Sequence, residues 1–269
     1  MTSSNGPVFV VGAPRSGTTI VAWALSRHSQ LWTSGEAYLA WYLIGSALAK
    51  RGTQALFEEA AVLGDGSFVI TGQVTPVEVR QGIGSAIDEI FRRRSGGRRW
   101  IDHTPKQTLM LPELLEAFPD AQFVHVVRDG RRVVESMLRF ESKLEDGVRK
   151  GMREAGWVVP WMRNGGAAVR EWTEYASAAA DFGDRHPERV HVVRHEQLQA
   201  EPEETIGQAL AFLALPSEPG PGLLLQQNRA HPSFGPDDDR SGAWDRRLRK
   251  TFEREAGPTM SRLGYVDGW

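Results

Sequence analysis

The sequence predicts an α/β fold in which a parallel β-sheet is flanked by helices. Two observations predict it. Short apolar runs rich in β-branched residues recur along the chain, and segments with helical spacing of apolar residues follow them. Strands that alternate with helices favour a parallel sheet with right-handed crossovers. The 269 residues, 41% hydrophobic and 25% charged, suffice for a sizeable core, so we predict one domain over residues 1–269.

Three apolar runs predict core strands, and a shorter run predicts a fourth strand. The core runs are Val8 to Val11, Phe123 to Val127 and Val190 to Val193, and the short strand is Trp100-Ile101. Helices are predicted from Thr18 onward and at residues 37–48, 76–94, 108–118, 131–140, 167–182, 203–213 and 246–263. Residues 37–99 hold few strand signals, so we expect a helical insertion there.

Composition excludes several classes of function. The net charge of −2 gives no indication of a nucleic-acid or membrane-surface partner. The chain has no cysteine, which excludes disulfides, thiolate metal sites and cysteine nucleophiles. The first residues lack the basic and apolar regions of a secretory signal, and no apolar stretch is long enough to span a bilayer. We expect a cytoplasmic protein.

The first predicted strand leads into a glycine-rich loop at residues 12–19, GAPRSGTT, which opens a helix. Backbone N–H groups of such a P-loop-like turn converge with the helix N-terminus on one point and favour an anion. The glycine spacing matches the pattern G-x-x-x-x-G-K-[ST], but Thr18 stands where that pattern has lysine. The missing lysine argues against ATP phosphoryl transfer. Arg15 supplies a cation within the loop instead.

A second candidate anion site follows the Phe123 to Val127 strand. Arg128 stands at the carboxyl end of that strand, where open α/β sheets bind ligands, and Ser136 falls in the following helix. An arginine and a serine placed in this way can bind one phosphate through charge-assisted hydrogen bonds.

These motifs resemble those of the sulfotransferases that use 3′-phosphoadenosine 5′-phosphosulfate (PAPS), closest to the tyrosylprotein and bacterial small-molecule branches. The loop PRSGTT resembles the family's 5′-phosphosulfate-binding loop, which also lacks the Walker lysine. Arg128 and Ser136, eight residues apart, resemble the motif that holds the 3′-phosphate. His195 replaces the tyrosine of a strand-end Y-E-x-L segment that contacts the nucleotide.

The resemblance implies a set of residues that bind the donor. The loop from Asn228 to Trp244 resembles the family's nucleotide-covering loop in composition and place, and it adds two residues to that set. The set consists of Arg15, Ser16, Gly17, Thr18, Thr19, Arg128, Ser136, His195, Arg240 and Ser241.

Two residues compete as the general base, and the sequence leaves the choice open. Glu36 resembles the catalytic glutamate of the tyrosylprotein branch in its distance from the loop arginine. His103 stands where the family often has a lysine that acts on the transferring group, and Lys106 follows three residues later. His103 is therefore either the base or an electrostatic partner to Glu36. Arg15 is the third predicted catalytic residue, placed to stabilise the leaving phosphate.

The resemblance implies transfer of a sulfuryl group from PAPS to a hydroxyl, with release of adenosine 3′,5′-bisphosphate (PAP) and no metal. We expect a small-molecule alcohol or phenol as acceptor, because no secretory signal is evident. Two alternatives stay open: a P-loop kinase that acts on a small metabolite, and a nucleotide-binding module of the same fold without catalysis. Acceptor identity and oligomeric state are not readable from the sequence.

Overall fold

In a computed structural model of the protein, five parallel strands form one sheet. The strands are β1 (Val8–Val11), β2 (Leu31–Thr33), β3 (Arg99–Asp102), β4 (Gln122–Val127) and β5 (Val190–Arg194). Their order across the sheet is β2-β3-β1-β4-β5, so β1 is central and pairs with β3 and β4. The predicted parallel sheet and its four predicted strands are confirmed. The structure describes residues 6–62, 74–140, 145–154, 159–162, 164–218, 220–222, 225 and 244–265.

Helices cover the sheet. In chain order they are α1 (Thr18–Leu25), a π-helical turn (Trp41–Gly45), α2 (Ala47–Val62), α3 (Pro76–Ser95), a 3₁₀ turn (Pro105–Leu109), α4 (Leu111–Ala117), α5 (Gly130–Leu138), α6 (Asp146–Glu154), a second 3₁₀ turn (Pro160–Met162), α7 (Gly165–Arg185), α8 (His195–Ala200), α9 (Pro202–Phe212) and α10 (Arg246–Arg262). None of these helices, within the described residues, is long and apolar enough to cross a membrane.

The helix predictions need three corrections. Residues 37–48 do not form one helix, because the backbone becomes extended at Ser46, between the π-helical turn and α2. The helix predicted at residues 108–118 is divided at Met110 into a 3₁₀ turn and α4, whose second residue is Pro112. Strand β2 and helices α6 and α8 were not predicted at all.

Between β2 and β3, the described secondary structure is helical and consists of the π-helical turn, α2 and α3. Helix α3 begins at the predicted Thr75-Pro76 start with a capping box. The Thr75 hydroxyl accepts a hydrogen bond from the Glu78 amide at 3.2 Å, and the Glu78 carboxylate accepts one from the Thr75 amide at 2.7 Å. Such a box satisfies two amide donors that the helix itself leaves unpaired. That residues 37–99 form an inserted unit stays a prediction.

The central strands bury both faces. Side chains alternate along a strand, so Val8 and Val10 lie on one face and Phe9 and Val11 on the other. The first face packs against α1 and α9, and the second packs against α3 and α4. The Phe9 ring is fully buried and meets the Trp100 ring edge-on, with centroids 5.6 Å apart. Two-sided packing of this kind makes the sheet a rigid support for the loops that follow its strands.

A buried arginine joins the amino-terminal side of the sheet to α9. The Arg99 guanidinium donates hydrogen bonds to the carbonyl of Gly6, to the carbonyl of Leu213 at 3.1 Å and to Gln122 Oε1 at 2.7 Å. Burial lowers the pKa of Arg99 to about 10, so the side chain stays charged at neutral pH. Three oxygen acceptors therefore hold this cation at the edge of the sheet opposite to the strands' carboxyl ends.

Candidate functional site

The five strands end at one edge of the sheet, and a predicted site residue follows each of them. Arg15 follows β1, Glu36 follows β2, His103 follows β3, Arg128 follows β4 and His195 follows β5. Because the strands are parallel, their carboxyl ends meet at the same edge, where open α/β sheets bind ligands. The topology therefore gathers residues that are up to 180 positions apart in the sequence.

The loop after β1 is held in a tight conformation that depends on glycine at two positions. Gly12 and Gly17 have φ values of 149° and 107°, which L side chains rarely adopt. A Cβ at Gly12 would lie 2.5 Å from the carbonyl oxygen of Val126, and one at Gly17 would lie 2.6 Å from His195 Nδ1. The backbone of this loop therefore packs directly against the ends of β4 and β5.

The same loop contains hydrogen-bond donors that have no partner among the described residues. The N-cap of helix α1 is Gly17, which has no side chain to accept a hydrogen bond, so the amides of Thr18 and Thr19 in the first turn have no intrahelical acceptor. The Ser16 hydroxyl is buried and has no hydrogen-bond partner among the described residues. Thr18 is buried and Thr19 is exposed. Unpaired donors at a helix N-terminus fit an anion such as a phosphate or phosphosulfate group.

The loop and the second anion motif are in direct contact. Arg128 Nη1 donates to the carbonyl oxygen of Arg15 at 3.2 Å, and Arg15 Nε donates to Ser136 Oγ at 3.3 Å. The Arg15 guanidinium also lies over the Phe140 ring, 5.1 Å from its centroid. Burial lowers the pKa of Arg15, and the nearby charge of Arg128 lowers it further. Because the positive charges of the two guanidinium groups repel each other, an anion bound beside them would be stabilised.

His195 lies against the loop and is electrostatically coupled to Arg128. It is buried as the first residue of α8, and its ring is beside Gly17. Burial lowers the pKa of His195 to about 3, with a further contribution from the Arg128 charge. The imidazole is therefore neutral at pH 7 and offers one donor and one acceptor nitrogen.

The turn that carries Arg128 is fixed by a residue to which the sequence analysis gave no role. Glu196 Oε1 accepts a hydrogen bond from the Asp129 amide, and its Oε2 accepts one from the Tyr265 hydroxyl, both at 2.9 Å. Arg194 completes the contact by donating to the carbonyl of Leu263 at 2.6 Å. The carboxyl-terminal end of the described chain is thereby joined to the backbone next to Arg128.

Glu36 follows the end of β2 and is close enough to Arg15 for the two charges to interact. Its Oε2 accepts a hydrogen bond from the Tyr38 hydroxyl at 3.1 Å. Although the residue is exposed, desolvation by the surrounding protein raises the pKa of Glu36, and the charge of Asp102 adds to this. The Tyr38 hydrogen bond and the positive charge of Arg15 oppose the rise. The carboxylate is thus electrostatically coupled to the loop arginine.

His103 is buried directly after β3. Burial lowers the pKa of His103 to about 4, so its imidazole is neutral at pH 7. Its Nδ1 is buried without a hydrogen-bond partner within the described part of the chain. Lys106, the cation expected nearby, lies instead over the Trp41 ring at 5.1 Å from its centroid. At neutral pH His103 therefore supplies no fixed positive charge.

Asp102, at the end of β3, is the carboxylate closest in sequence to His103 and is fully buried. It accepts hydrogen bonds from the Thr104 amide at 2.9 Å, the Thr104 hydroxyl at 2.7 Å and the Gln107 side-chain amide at 2.7 Å. These bonds commit the Asp102 carboxylate to local structure.

Within the described residues, no group of three or more histidine, aspartate or glutamate side chains is placed to hold a metal ion. Arg240 and Ser241 lie outside the described residues.

Comparison with known proteins identifies the family to which the chain belongs. Residues 7–219 match the model of the Sulfotransferase family. A putative protein-tyrosine sulfotransferase of Caenorhabditis briggsae is 25% identical over 220 residues, which cover 77% of this chain and 65% of that protein. The chain spans between 26% and 65% of the length of the curated relatives that it matches.

Two solved structures establish the likeness of fold. The sulfotransferase domain from the curacin biosynthetic pathway has a TM-score of 0.59 at 20% identity, over 98% of this chain and 99% of that one. Mouse sulfotransferase SULT7A1, solved as a complex with PAP, has a TM-score of 0.52 at 12% identity, over 96% and 85% of the two chains. Because the family model covers most of the sequence, the chain belongs to the Sulfotransferase family.

Proposed function

We propose that this protein transfers a sulfuryl group from PAPS to the hydroxyl of a small molecule and releases PAP. One observation carries the proposal: the glycine-rich loop and the Arg128–Ser136 motif touch each other through Arg15. A nucleotide with anionic groups at both its 5′ and 3′ positions needs two adjacent anion sites. Adenosine nucleotides without a 3′-phosphate need only the first of them.

The donor would be held from three sides. The loop amides after Ser16 and the Ser16 hydroxyl would bind the 5′-phosphosulfate, because they are the donors left unpaired at the start of α1. Arg128 and Ser136 would bind the 3′-phosphate through charge-assisted hydrogen bonds. The neutral His195 would give one hydrogen bond to the nucleotide beside the loop. Arg240 and Ser241 stay predicted contacts of the covering loop.

The chemistry is an in-line displacement at sulfur. The acceptor oxygen forms a bond to sulfur as the bond between sulfur and the 5′-phosphate oxygen of PAP breaks, and the acceptor proton passes to a base. Arg15, at the carboxyl end of β1, stabilises the negative charge that develops on the leaving phosphate. The Arg15 hydrogen bond to Ser136 holds the guanidinium in place before the reaction, which reduces the reorganisation required.

Glu36 is the base in this scheme, and His103 has a different role. A base is most effective when its pKa lies near the working pH, and desolvation by the surrounding protein raises the pKa of Glu36 in that direction. The pKa of about 4 makes His103 a weak base and leaves it neutral. A neutral imidazole can still donate a hydrogen bond to an oxygen of the sulfuryl group.

The kinase alternative is less well supported. Thr18 replaces the lysine that P-loop kinases place on the β- and γ-phosphates. Asp102 ends β3, one of the two strands that pair with β1, and its carboxylate oxygens already accept hydrogen bonds from Thr104 and Gln107, which disfavours their use for a nucleotide-bound Mg²⁺. A binding module without catalysis would retain the anion sites but would not need Glu36.

A small-molecule acceptor is supported by the near-complete overlap with a sulfotransferase domain that works in a biosynthetic pathway. The curated relatives include a putative protein-tyrosine sulfotransferase, so a tyrosine side chain is the competing acceptor. The phenol of tyrosine and a small phenol share the same reacting group. The expected compartment remains the cytoplasm.

Two measurements test the proposal. Calorimetric titration with PAP in the presence of a chelator is expected to give tight binding, whereas ATP–Mg²⁺ is expected to bind weakly. Incubation with labelled PAPS and a metabolite extract, followed by mass spectrometry, is expected to reveal a sulfated product. Glu36→Gln should keep PAP binding and lose turnover. PAP binding without transfer to any acceptor, tyrosine peptides included, would favour the binding module, and tighter binding of ATP–Mg²⁺ would favour the kinase.

A further inference from the structure

Tyr38 adopts a backbone conformation that is unusual for an aromatic residue. Its φ is 54°, in the left-handed region, where only a small fraction of residues other than glycine is found. Such conformations are costly and persist where neighbouring structure enforces them, often at functional sites. Tyr38 lies two residues after Glu36, next to the proposed site of proton transfer.

The end of β3 enforces this conformation. The Tyr38 amide donates to Thr104 Oγ1 at 3.1 Å, and the Thr104 hydroxyl donates in turn to Asp102 Oδ1 at 2.7 Å. Asp102 and Thr104 are both fully buried, so this chain of hydrogen bonds is shielded from water. On its carboxyl side, the Tyr38 carbonyl accepts a hydrogen bond from the Tyr42 amide at 2.9 Å, which begins the helical segment. Both sides of Tyr38 are therefore fixed.

The fixed backbone turns the phenol toward the glutamate. The Tyr38 hydroxyl donates to Glu36 Oε2 at 3.1 Å. Burial raises the pKa of Tyr38 to about 12, and the neighbouring charge of Glu36 contributes to this. The phenol therefore remains a proton donor throughout the neutral range. A carboxylate on a flexible side chain is thereby held by one of its two oxygens.

We propose that Tyr38 is a positioning residue that orients the Glu36 carboxylate toward the acceptor hydroxyl, an inference that rests on the role proposed above for Glu36. Binding of Oε2 by the phenol leaves Oε1 to take the acceptor proton. Preorganisation of this kind matters because a displacement of about 1 Å can cost about 100-fold in rate. The costly backbone of Tyr38 then serves to place the base.

Removal of the hydroxyl has a predictable effect on titration. The hydrogen bond stabilises the ionised carboxylate, so its loss raises the pKa of Glu36. A base works only when deprotonated, and the acid limb of the rate–pH profile therefore moves to higher pH. Among the described residues, the charged or titratable groups that interact with Glu36 or Tyr38 are Arg15, Asp102, Tyr42 and Tyr175, and all of them remain in the Tyr38→Phe variant.

Tyr38→Phe keeps the ring and removes only the hydroxyl. We expect kcat to fall about 10- to 100-fold, the acid limb of kcat to move to higher pH, and the PAP affinity to stay within about twofold of the wild type. Tyr42→Phe is the matched control. Its ring is 68% exposed, and its hydroxyl has no hydrogen bond to a described residue. This variant should keep the wild-type kcat and pH profile.

A second measurement does not depend on turnover. The Glu36 carboxyl can be titrated by NMR in protein with ¹³C-labelled glutamate, with Glu36→Gln used to assign the resonance. Its pKa should be higher in Tyr38→Phe than in the wild type and unchanged in Tyr42→Phe. An unchanged Glu36 pKa, or a Tyr38→Phe variant that alters only KM, would overturn the positioning role. Full activity of Glu36→Gln would instead refute the proposed base.

Discussion

Substitution of Arg128 tests whether this arginine binds the 3′-phosphate of the donor nucleotide. Arg128 follows the last residue of β4, and its side chain donates a hydrogen bond to the backbone carbonyl of Arg15 at 3.2 Å. Arg128→Ala therefore removes a cation beside the loop as well as one hydrogen bond that supports the loop. The two effects separate when ligands with and without a 3′-phosphate are compared, because support of the loop influences both ligands equally.

The expected magnitude follows from the bonds involved. A hydrogen bond to a charged group contributes about 1.5–3 kcal/mol, and every 1.4 kcal/mol corresponds to a tenfold change in affinity. Loss of one such bond to the 3′-phosphate predicts a decrease in PAP affinity of about 10- to 150-fold. The bond from the Arg128 guanidinium to the Arg15 carbonyl is also charge-assisted and contributes about 1.5–3 kcal/mol. Its loss would weaken the binding of PAP and of 5′-AMP by the same factor.

Calorimetry with PAP and 5′-AMP measures the ratio of the two affinities directly. Arg132→Ala is the matched control, because Arg132 lies on α5 close to Arg128 in sequence and pairs with Glu135 at 3.5 Å. The PAP to AMP ratio should fall by about 10- to 150-fold in Arg128→Ala and stay at its wild-type value in Arg132→Ala. An unchanged ratio in Arg128→Ala would refute the assignment of the 3′-phosphate to this arginine.

Three further predictions concern the loop, the buried histidines and the sheet. Gly17→Ala should lower the melting temperature and weaken PAP binding by at least tenfold, because its Cβ would meet His195 Nδ1 at 2.6 Å; wild-type behaviour in calorimetry would contradict this. The pKa values of His103 and His125 are lowered by burial to about 4, so the unfolded state binds more protons between pH 6.5 and 4. Urea unfolding should therefore show stability that is full above pH 6.5 and decreases toward pH 4, and a flat profile would exclude neutral buried histidines. Arg99→Met should lower the free energy of unfolding by about 2–4 kcal/mol, because it leaves buried oxygen acceptors without a hydrogen-bond donor. The PAP affinity should be unchanged, because Arg99 lies at the opposite edge of the sheet from the site.

The part of the site that would bind the sulfuryl donor could be predicted from the sequence. The apolar strand before Gly12 and the strand before Arg128 are continuous runs of buried residues, and each ends at a turn signal. Both strands are central, so local pattern and tertiary environment agree for them. The spacing from Arg128 to Ser136 then places the serine on the helix that starts at the strand end, as the structure has it.

The acceptor side was harder to predict, and β2 explains why. Leu31–Thr33 is only three residues long, and only Leu31 is buried. Its strand conformation comes from parallel pairing with β3, about 70 residues later in the chain. Local sequence carries little record of such pairing. Without β2, the position of Glu36 at the shared edge of the sheet could not be derived from the pattern of the sequence.

Two other features depend on contacts that no local pattern records. The left-handed conformation of Tyr38 is imposed by Thr104 and Asp102 from another strand, and tyrosine gives no signal for it. The clamp of Glu196 on the Asp129 amide joins the ends of β4 and β5. Both are side-chain to backbone bonds between distant segments, and their geometry follows only from the assembled sheet.

A structure of the protein with PAP bound tests the central claim most directly. One adenosine nucleotide should have its 5′-phosphate against the loop amides of residues 17–19 and its 3′-phosphate against Arg128 and Ser136. Arg15 should lie beside the 5′-phosphate, with Glu36 on the side from which an acceptor approaches. A nucleotide bound elsewhere, or one whose 3′-phosphate lies in solvent away from Arg128, would contradict this account.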